Sequence, residues 1–175
     1  MKKIIILTSI ALTTASLAMA QREGTTRFSI GPELGVAASN PLDYIPEDKG
    51  WGLGLGASME GEHFFRENVS GVFYLGFISY AGRSTGANIK NKAYNVVPIR
   101  VGANVYAGSR FHFGAQIGAG INSMGGKNVT TFAYTPQLGY NFSRNDKPLD
   151  LTFKYDGYAA KNSFSAIGLR LSFIL

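Results

Sequence analysis

The sequence predicts an all-β fold, an eight-stranded antiparallel up-and-down β-barrel. Apolar and polar residues alternate with a period of two over most of the chain, as they do when successive side chains of a strand point to opposite faces. Eight such segments can be marked, and turn-forming residues separate them. Glycine and aromatic residues are abundant, with 22 Gly, 12 Phe and 9 Tyr among 175 residues. Glycine within strands is typical of curved sheets in which backbones approach closely.

The segment Tyr94–Tyr106 shows the alternation clearly. Its odd-numbered positions from Val97 to Val105 are all apolar, and the other face carries Arg100. Pro98 removes one backbone donor, so we expect a local bulge or irregular pairing at that point. In a soluble barrel the apolar face would line the core, whereas in a membrane barrel it would contact lipid and the polar face would be enclosed.

Three predicted strands precede this segment, at Arg27–Ala37, Gly50–Glu62 and Val69–Ala81. The first two place acidic residues opposite apolar faces. The third is apolar on both faces, so the alternation does not indicate which face points inward. Four strands follow, beginning at Phe111, Val129, Leu149 and just before Ile167. Their alternation gives each one apolar and one polar face.

The connections predict which end of a barrel is which. Polar loops at 38–50, 82–92 and 122–128 follow the first, third and fifth strands, and short turns follow the second, fourth and sixth. Long external loops and short periplasmic turns are typical of outer-membrane barrels. The pattern therefore favours a transmembrane β-barrel.

The charged residues of the clear strands all fall on the polar faces. In a membrane barrel these faces line a lumen that, with eight strands, has room only for its own side chains. We expect the buried charges to be paired, with Glu33 and Arg170 as partners on the first and last strands. The predicted luminal polar network consists of Glu33, Glu60, Arg100, Lys154, Asp156 and Arg170.

Aromatic residues near the predicted strand ends suggest interfacial girdles. Tyr and Trp are enriched where a membrane meets water. The predicted girdle consists of Trp51, Tyr106, Phe111, Tyr140, Phe142 and Phe173.

Residues 1–20 have the features of a cleaved signal peptide, and 21–175 would then be the barrel domain. Lys2 and Lys3 precede a short apolar run, and Ala18-Met19-Ala20 matches a signal-peptidase site. An uncleaved anchor is the alternative. The sequence has no cysteine, which excludes disulfides and cysteine zinc sites.

Three stretches resemble the outer-membrane β-barrel domain family of the Bacteroidetes, which includes the PorT-like barrels. They are Tyr94-Asn-Val-Val-Pro-Ile-Arg-Val101, Phe113-Gly-Ala-Gln-Ile-Gly-Ala-Gly120 and Gly168-Leu-Arg-Leu-Ser-Phe173. The resemblance covers essentially the mature chain. It implies an eight-stranded barrel and no particular activity.

No stretch predicts a cofactor, a metal site or catalysis. Gly52-Leu-Gly-Leu-Gly-Ala57 matches a loose dinucleotide fingerprint, but it lies inside an alternating strand and not at a strand–helix turn. His63 falls in a predicted turn, and His112 has no serine at the neighbouring same-face positions, so a nucleophile–base pair is not indicated. The net charge of +6 comes from scattered residues, which disfavours nucleic-acid binding.

The sequence therefore predicts a small bacterial outer-membrane barrel with a side-chain-filled lumen and no enzymatic activity. Its expected partners are outer-membrane lipid, the barrel-insertion machinery, and an unknown surface ligand or protein bound by the loops at 38–50, 82–92 and 122–128. Two alternatives remain open: a soluble periplasmic or secreted barrel that binds a small apolar ligand, and a narrow channel.

Overall fold

The fold is described from a computed structural model, which covers residues 23–39, 51–82, 84–85, 89–90, 92–108, 110–142, 148–160 and 163–175. The proposed signal peptide at 1–20 lies outside these residues. The strands are β1 (Thr26–Ser39), β2 (Trp51–Arg66), β3 (Val69–Gly82), β4 (Ser84–Thr85), β5 (Ile89–Lys90), β6 (Tyr94–Ala107), β7 (Phe111–Met124), β8 (Lys127–Asn141), β9 (Leu149–Ala159) and β10 (Phe164–Ile174).

Eight of these strands form a closed antiparallel barrel in the order β1-β10-β9-β8-β7-β6-β3-β2. Each barrel strand pairs with its neighbours along the chain, and β1 pairs with β10 to close the ring. The prediction of an eight-stranded up-and-down barrel is confirmed. The short strands β4 and β5 pair only with each other, within the segment predicted as the loop 82–92.

The two faces of the wall differ in chemistry, as the alternation predicts. Exposed apolar side chains occur on all eight barrel strands, from Phe28 of β1 to Ile167 of β10. The even-numbered positions of β3 face inward, which resolves the strand whose two faces are both apolar: Tyr74 is 1% exposed and Phe73 is 51% exposed. Buried positions of the barrel strands carry their described acids and the bases Arg100, His112, Lys154 and Arg170, whereas His63 and Arg66 near the end of β2 are exposed.

The connections define two ends of the barrel. We call the end with the turns β2–β3 and β6–β7 the turn end, and the end with the turn β7–β8 the loop end. The described chain begins at Glu23 and ends at Leu175, both at the turn end. Each barrel strand is 11–16 residues long, which is sufficient for the roughly 9–11 residues that cross a bilayer when tilted. Among the described residues, no helix is long and apolar enough to cross a membrane.

The prediction of a polar loop at 122–128 is wrong. Strands β7 and β8 continue through most of this segment and pair up to Met124 and Lys127. Only Gly125 and Gly126 form the turn, with φ values of 60° and 86°, as in the tight type I′ turns of hairpins. Two adjacent glycines permit the positive φ angles of such a turn, and this is why the polar stretch continues the sheet. Of the loop 38–50, residues 40–50 lie outside the described part of the chain.

Candidate functional site: the lumen of the barrel

Inward-facing glycines make room for large side chains in this narrow barrel. A Cβ atom on Gly54 would lie 2.5 Å from the ring of Tyr80, and one on Gly120 would lie 2.6 Å from the ring of Tyr158. Any side chain at these two positions would displace a ring. Glycines on the inner face therefore have a packing role.

Five side chains in the middle of the lumen form one connected set of contacts, which we call the central cluster. Lys154 Nζ donates to Glu33 Oε2 at 2.6 Å and lies 3.2 Å from Asp156 Oδ2. Arg100 Nη1 lies 2.5 Å from Asp156 Oδ1. Tyr74 lies among them: its hydroxyl donates to Glu33 Oε1 at 2.7 Å, and its ring centroid is 4.1 Å from the Arg100 guanidinium. The cluster thus joins β1, β3, β6 and β9 across the lumen.

A second ion pair lies beside the central cluster. Arg170 Nη1 donates to Glu60 Oε2 at 2.9 Å, and its Nη2 donates to Ser29 Oγ at 2.7 Å. Gln116 Nε2 donates to the same Glu60 oxygen at 2.9 Å. With this pair, the six charged residues predicted for the lumen are all buried and their formal charges cancel: Glu33, Glu60 and Asp156 against Arg100, Lys154 and Arg170.

The predicted partnership of Glu33 with Arg170 is wrong. The two residues are register partners between β1 and β10, but each side chain passes over the adjacent strand to the next one. Glu33 reaches Lys154 on β9, and Arg170 reaches Glu60 on β2. Long side chains inside a small, strongly curved barrel can reach past one strand to the next. Backbone register alone therefore does not determine which residues form an ion pair.

A second group of polar side chains lies at the turn end of the lumen, and we call it the turn-end cluster. Arg27 Nε donates to Glu62 Oε2 at 2.6 Å. Tyr106 donates to Glu62 Oε1 at 2.7 Å and also accepts a hydrogen bond from Arg27. His112 Nε2 lies 3.0 Å from Asp150 Oδ2. The cavity between these groups measures about 10 Å³, which is room for about one water molecule.

The position of Tyr106 corrects the predicted girdle. Tyr106 is 4% exposed and lies inside the barrel. It has the same parity along β6 as Arg100 and Asn104, and in a regular strand residues of one parity share one face. The odd or even position of Tyr106 along β6 therefore indicates the face on which it lies better than its proximity to the strand end does.

Aromatic rings pack together at the loop end of the lumen, and we call this group the aromatic cap. Phe164 packs against Tyr80 at 5.0 Å, Tyr94 at 4.8 Å and Tyr158 at 5.9 Å between ring centroids. Ile78 and Val96 belong to the same buried cluster. The lumen thus has apolar rings at the loop end, ion pairs in the middle and a polar cluster at the turn end.

Four residues of the predicted girdle lie on the outer surface at the turn end. Phe111, Phe142 and Phe173 are exposed, and Tyr140 is partly exposed. Tyr140 packs against Phe111 at 4.9 Å and Phe142 at 4.8 Å, and its hydroxyl accepts from Arg110 at 2.9 Å. The backbone of Trp51 begins β2 at the loop end; its side chain lies outside the described part.

Several luminal residues were not singled out from the sequence. Glu62 and Asp150 have the parity of the predicted luminal acids on their own strands, so the period-two pattern could have identified them. Tyr74 and the rings of the aromatic cap gave no such signal, because tyrosine occurs on both faces of a membrane barrel. Among the described residues, no group of three or more His, Cys, Asp or Glu side chains is arranged to hold a metal ion.

Comparisons with known proteins identify the fold. No protein-family model matches the sequence, and no curated protein matches it significantly. The structure is similar to Ail, the attachment invasion locus protein of Yersinia pestis, with a TM-score of 0.59 and 14% identity over 87% of this chain and 99% of that one.

Two further barrels are similar over 89% of this chain and 99% of theirs. They are the outer membrane protein OprG from Pseudomonas aeruginosa, with a TM-score of 0.50 and 9% identity, and a de novo designed transmembrane β-barrel, with a TM-score of 0.50 and 12% identity. This chain has the fold of the small outer-membrane barrels. At these identities the likeness concerns the fold alone.

Proposed function

We propose that this chain is an integral outer-membrane barrel with a filled lumen and a structural or surface-interaction role. The observation that carries the proposal is the distribution of polarity. Apolar side chains cover the outer face of every barrel strand, and the described charged side chains of the strands are inside or at strand ends. Lipid-facing Arg or Lys costs about 2–4 kcal/mol near the middle of a bilayer, so this distribution suits a membrane.

The same distribution argues against a soluble barrel that binds an apolar ligand. Soluble monomers rarely expose an apolar patch of more than about 600 Å², whereas here the exposed apolar side chains continue around the barrel. A lumen for an apolar ligand would also need an apolar, open centre. Arg100, Lys154 and Arg170 occupy the centre of this one, together with their carboxylate partners.

A filled lumen further disfavours transport and catalysis. Each predicted luminal charge has an opposite charge within 3.2 Å, so the central cluster and the Arg170–Glu60 pair act as internal cross-links. His112 is held by Asp150 inside the barrel, where the neighbouring cavity is too small for a substrate. The side chains at the centre therefore stabilise the barrel.

Recognition is assigned to the loop end. The candidate segments are 38–50, 82–92 and the hairpin within 122–128. Asn128 of this hairpin is exposed, as are Val129 and Thr130, which follow it. Ail has been solved in a phospholipid nanodisc and with the heparin analogue sucrose octasulfate. Those findings concern Ail, and they support lipid and surface-ligand contacts as the class of function for this fold.

The resemblance to the PorT-like Bacteroidetes barrels, the signal peptide at 1–20 and delivery by the barrel-insertion machinery belong to the same proposal. They account together for export, folding and membrane insertion of one chain. Edman or mass-spectrometric sequencing of the mature N-terminus should give Gln21 as the first residue. A mature chain that retains Lys2 and Lys3 would contradict the cleavage.

Fractionation of the producing cell tests the location. We expect the protein in the outer-membrane fraction, extractable only with detergent, and with a gel mobility that changes on heating as the barrel unfolds. Release from spheroplasts without detergent would overturn the proposal and favour the soluble alternative.

Labelling of introduced cysteines tests the orientation, since the natural sequence has none. Asn128→Cys at the loop end should react with a membrane-impermeant maleimide on intact cells. Glu67→Cys, exposed at the turn end, is the matched control and should react only after the outer membrane is permeabilised. The reverse pattern would place the recognition segments on the periplasmic side.

A further inference from the structure

A groove of about 780 Å³ runs along the outer face of the barrel near the turn end. The outward-facing residues Gly61 of β2 and Gly71 of β3 line it and present no side chain. Large apolar side chains line the same groove around them: Phe28, Ile30, Met59, Phe65, Phe73 and Leu175.

The groove depends on the two glycines. A Cβ atom on Gly71 would lie 2.8 Å from the ring of Phe65, and one on Gly61 would lie 3.2 Å from the ring of Phe28. The rings of Phe65 and Phe28 thus occupy the space that a side chain at Gly71 or Gly61 would need. A larger residue at either position would fill the groove or displace the ring beside it.

The turn end of the groove carries a polar pair. Thr26 Oγ1 and His63 Nδ1 are 2.8 Å apart, and both side chains are exposed and line the groove. The groove is therefore amphipathic along its length. An apolar channel that ends at a hydroxyl and an imidazole matches a molecule with a long apolar chain and a polar, hydrogen-bonding head.

We propose that this groove binds one acyl chain of a phospholipid from the periplasmic leaflet, with the lipid's ester and phosphate region beside Thr26 and His63. The proposal rests on the proposed function, because it requires the groove to face lipid. Three observations select this occupant. The groove is continuous with the apolar outer face, it ends in a polar pair, and it lies at the end with short turns and both described termini, which is periplasmic in outer-membrane barrels.

The test is native mass spectrometry of the full-length barrel, released from micelles that contain a small amount of palmitoyl-oleoyl phosphatidylethanolamine. We expect the natural protein to retain one phospholipid and the Gly71→Leu variant to lose it. Ala115→Leu is the matched control and should retain the lipid. Ala115 is outward-facing and lies two strands away in the same register row as Gly71, because Gly71 pairs with Ala103 and Ala103 pairs with Ala115.

Each other outcome overturns the lipid site. Equal retention by all three proteins would show that the groove is not selective, and no retention by the natural protein would show that it is not occupied. A dimer that Gly71→Leu abolishes would make the groove a contact between two copies.

Folding of each variant is checked by heat-modifiable gel mobility. Gly61→Leu replaces Gly71→Leu if the latter does not fold. Failure of the proposed function can be distinguished from failure of the lipid site. If the proposed function is wrong, the natural protein itself will be missing from the outer-membrane fraction.

Discussion

Lys154 connects two acids at the centre of the barrel. Its ammonium contacts Glu33 and Asp156 and also donates to the Tyr74 hydroxyl at 3.1 Å. Burying a charge is costly, and an opposite charge with good hydrogen bonds offsets that cost. Because three groups share Lys154, it is the residue whose loss should most disturb the lumen.

Lys154→Met should lower the free energy of unfolding by about 3–5 kcal/mol, the cost of leaving a buried charge without its partner. The double variant Glu33→Leu/Lys154→Met should recover much of this loss, because Asp156 keeps Arg100. The measurement is urea unfolding in lipid vesicles. Leu151→Met, on the outer face of the same strand, is the control and should cost less than about 1.5 kcal/mol. A double variant as unstable as the sum of its single variants would argue against the ion pair.

Tyr106→Phe tests the luminal position of this tyrosine. Removing the hydroxyl leaves Arg27 and Glu62 each without one hydrogen-bond partner in a buried site, which should cost about 1–3 kcal/mol. Tyr140→Phe, on the outer surface, should change stability by less than about 0.5 kcal/mol. Equal losses in vesicle-based urea unfolding would contradict the different environments of the two tyrosines.

At the scale of elements, strand pairing follows local backbone chemistry. At Pro98 the pairing of β6 with β3 is interrupted between Leu75–Ile99 and Ile78–Val96, whereas the pairing with β7 continues through Gly120. The register is the same on both sides of the interruption, so there is no bulge. The missing N–H of proline explains why only one ladder is affected. The expected irregular pairing therefore occurs on one side of the strand.

The hairpin of β7 and β8 depends on its two glycines. Gly125→Ala or Gly126→Ala should destabilise the barrel by about 1–2 kcal/mol, because a left-handed backbone is costly for residues with a Cβ atom. Gly125→Asn is the control and should be tolerated, since Asn-Gly is a preferred pair in type I′ turns. Unfolding midpoints in vesicles would measure this. Equal stability of the alanine and asparagine variants would argue against this turn.

At the scale of the whole molecule, side chains of different chemistry occupy three levels of the described lumen. The aromatic cap, the central cluster and the turn-end cluster follow one another from the loop end to the turn end. In the described part of the lumen, the cavity at the turn end has room for about one water molecule. The proposed filled lumen predicts that a continuous aqueous path forms only if these side chains move.

Purified barrel in a planar lipid bilayer should therefore give no steady conductance steps. An open porin added to the same bilayer is the positive control for insertion and recording. Regular, well-resolved steps from this protein alone would contradict a filled lumen and favour the narrow channel.

The sequence by itself determined the two faces of each strand. A period-two pattern requires only that the backbone is extended. Successive side chains then lie on opposite sides of the sheet, as Leu34 and Glu33 do on β1 and Val101 and Arg100 do on β6. The strand number and the positions of the six luminal charges followed from this local pattern. Tyr106 could have been placed in the same way, since its parity is that of Arg100.

Only the tertiary structure decided which luminal side chains meet. Glu33 and Lys154 are 121 residues apart in the sequence. Their contact requires that β1 pairs with β10 and that the Lys154 side chain is long enough to reach past β10 to β1. The aromatic cap had no signal for a similar reason. Tyr158 and Phe164 are partners in adjacent strands, but Tyr80 of β3 meets them only inside the closed barrel. Alternation is a property of one strand, whereas pairing in the lumen is a property of the closed barrel.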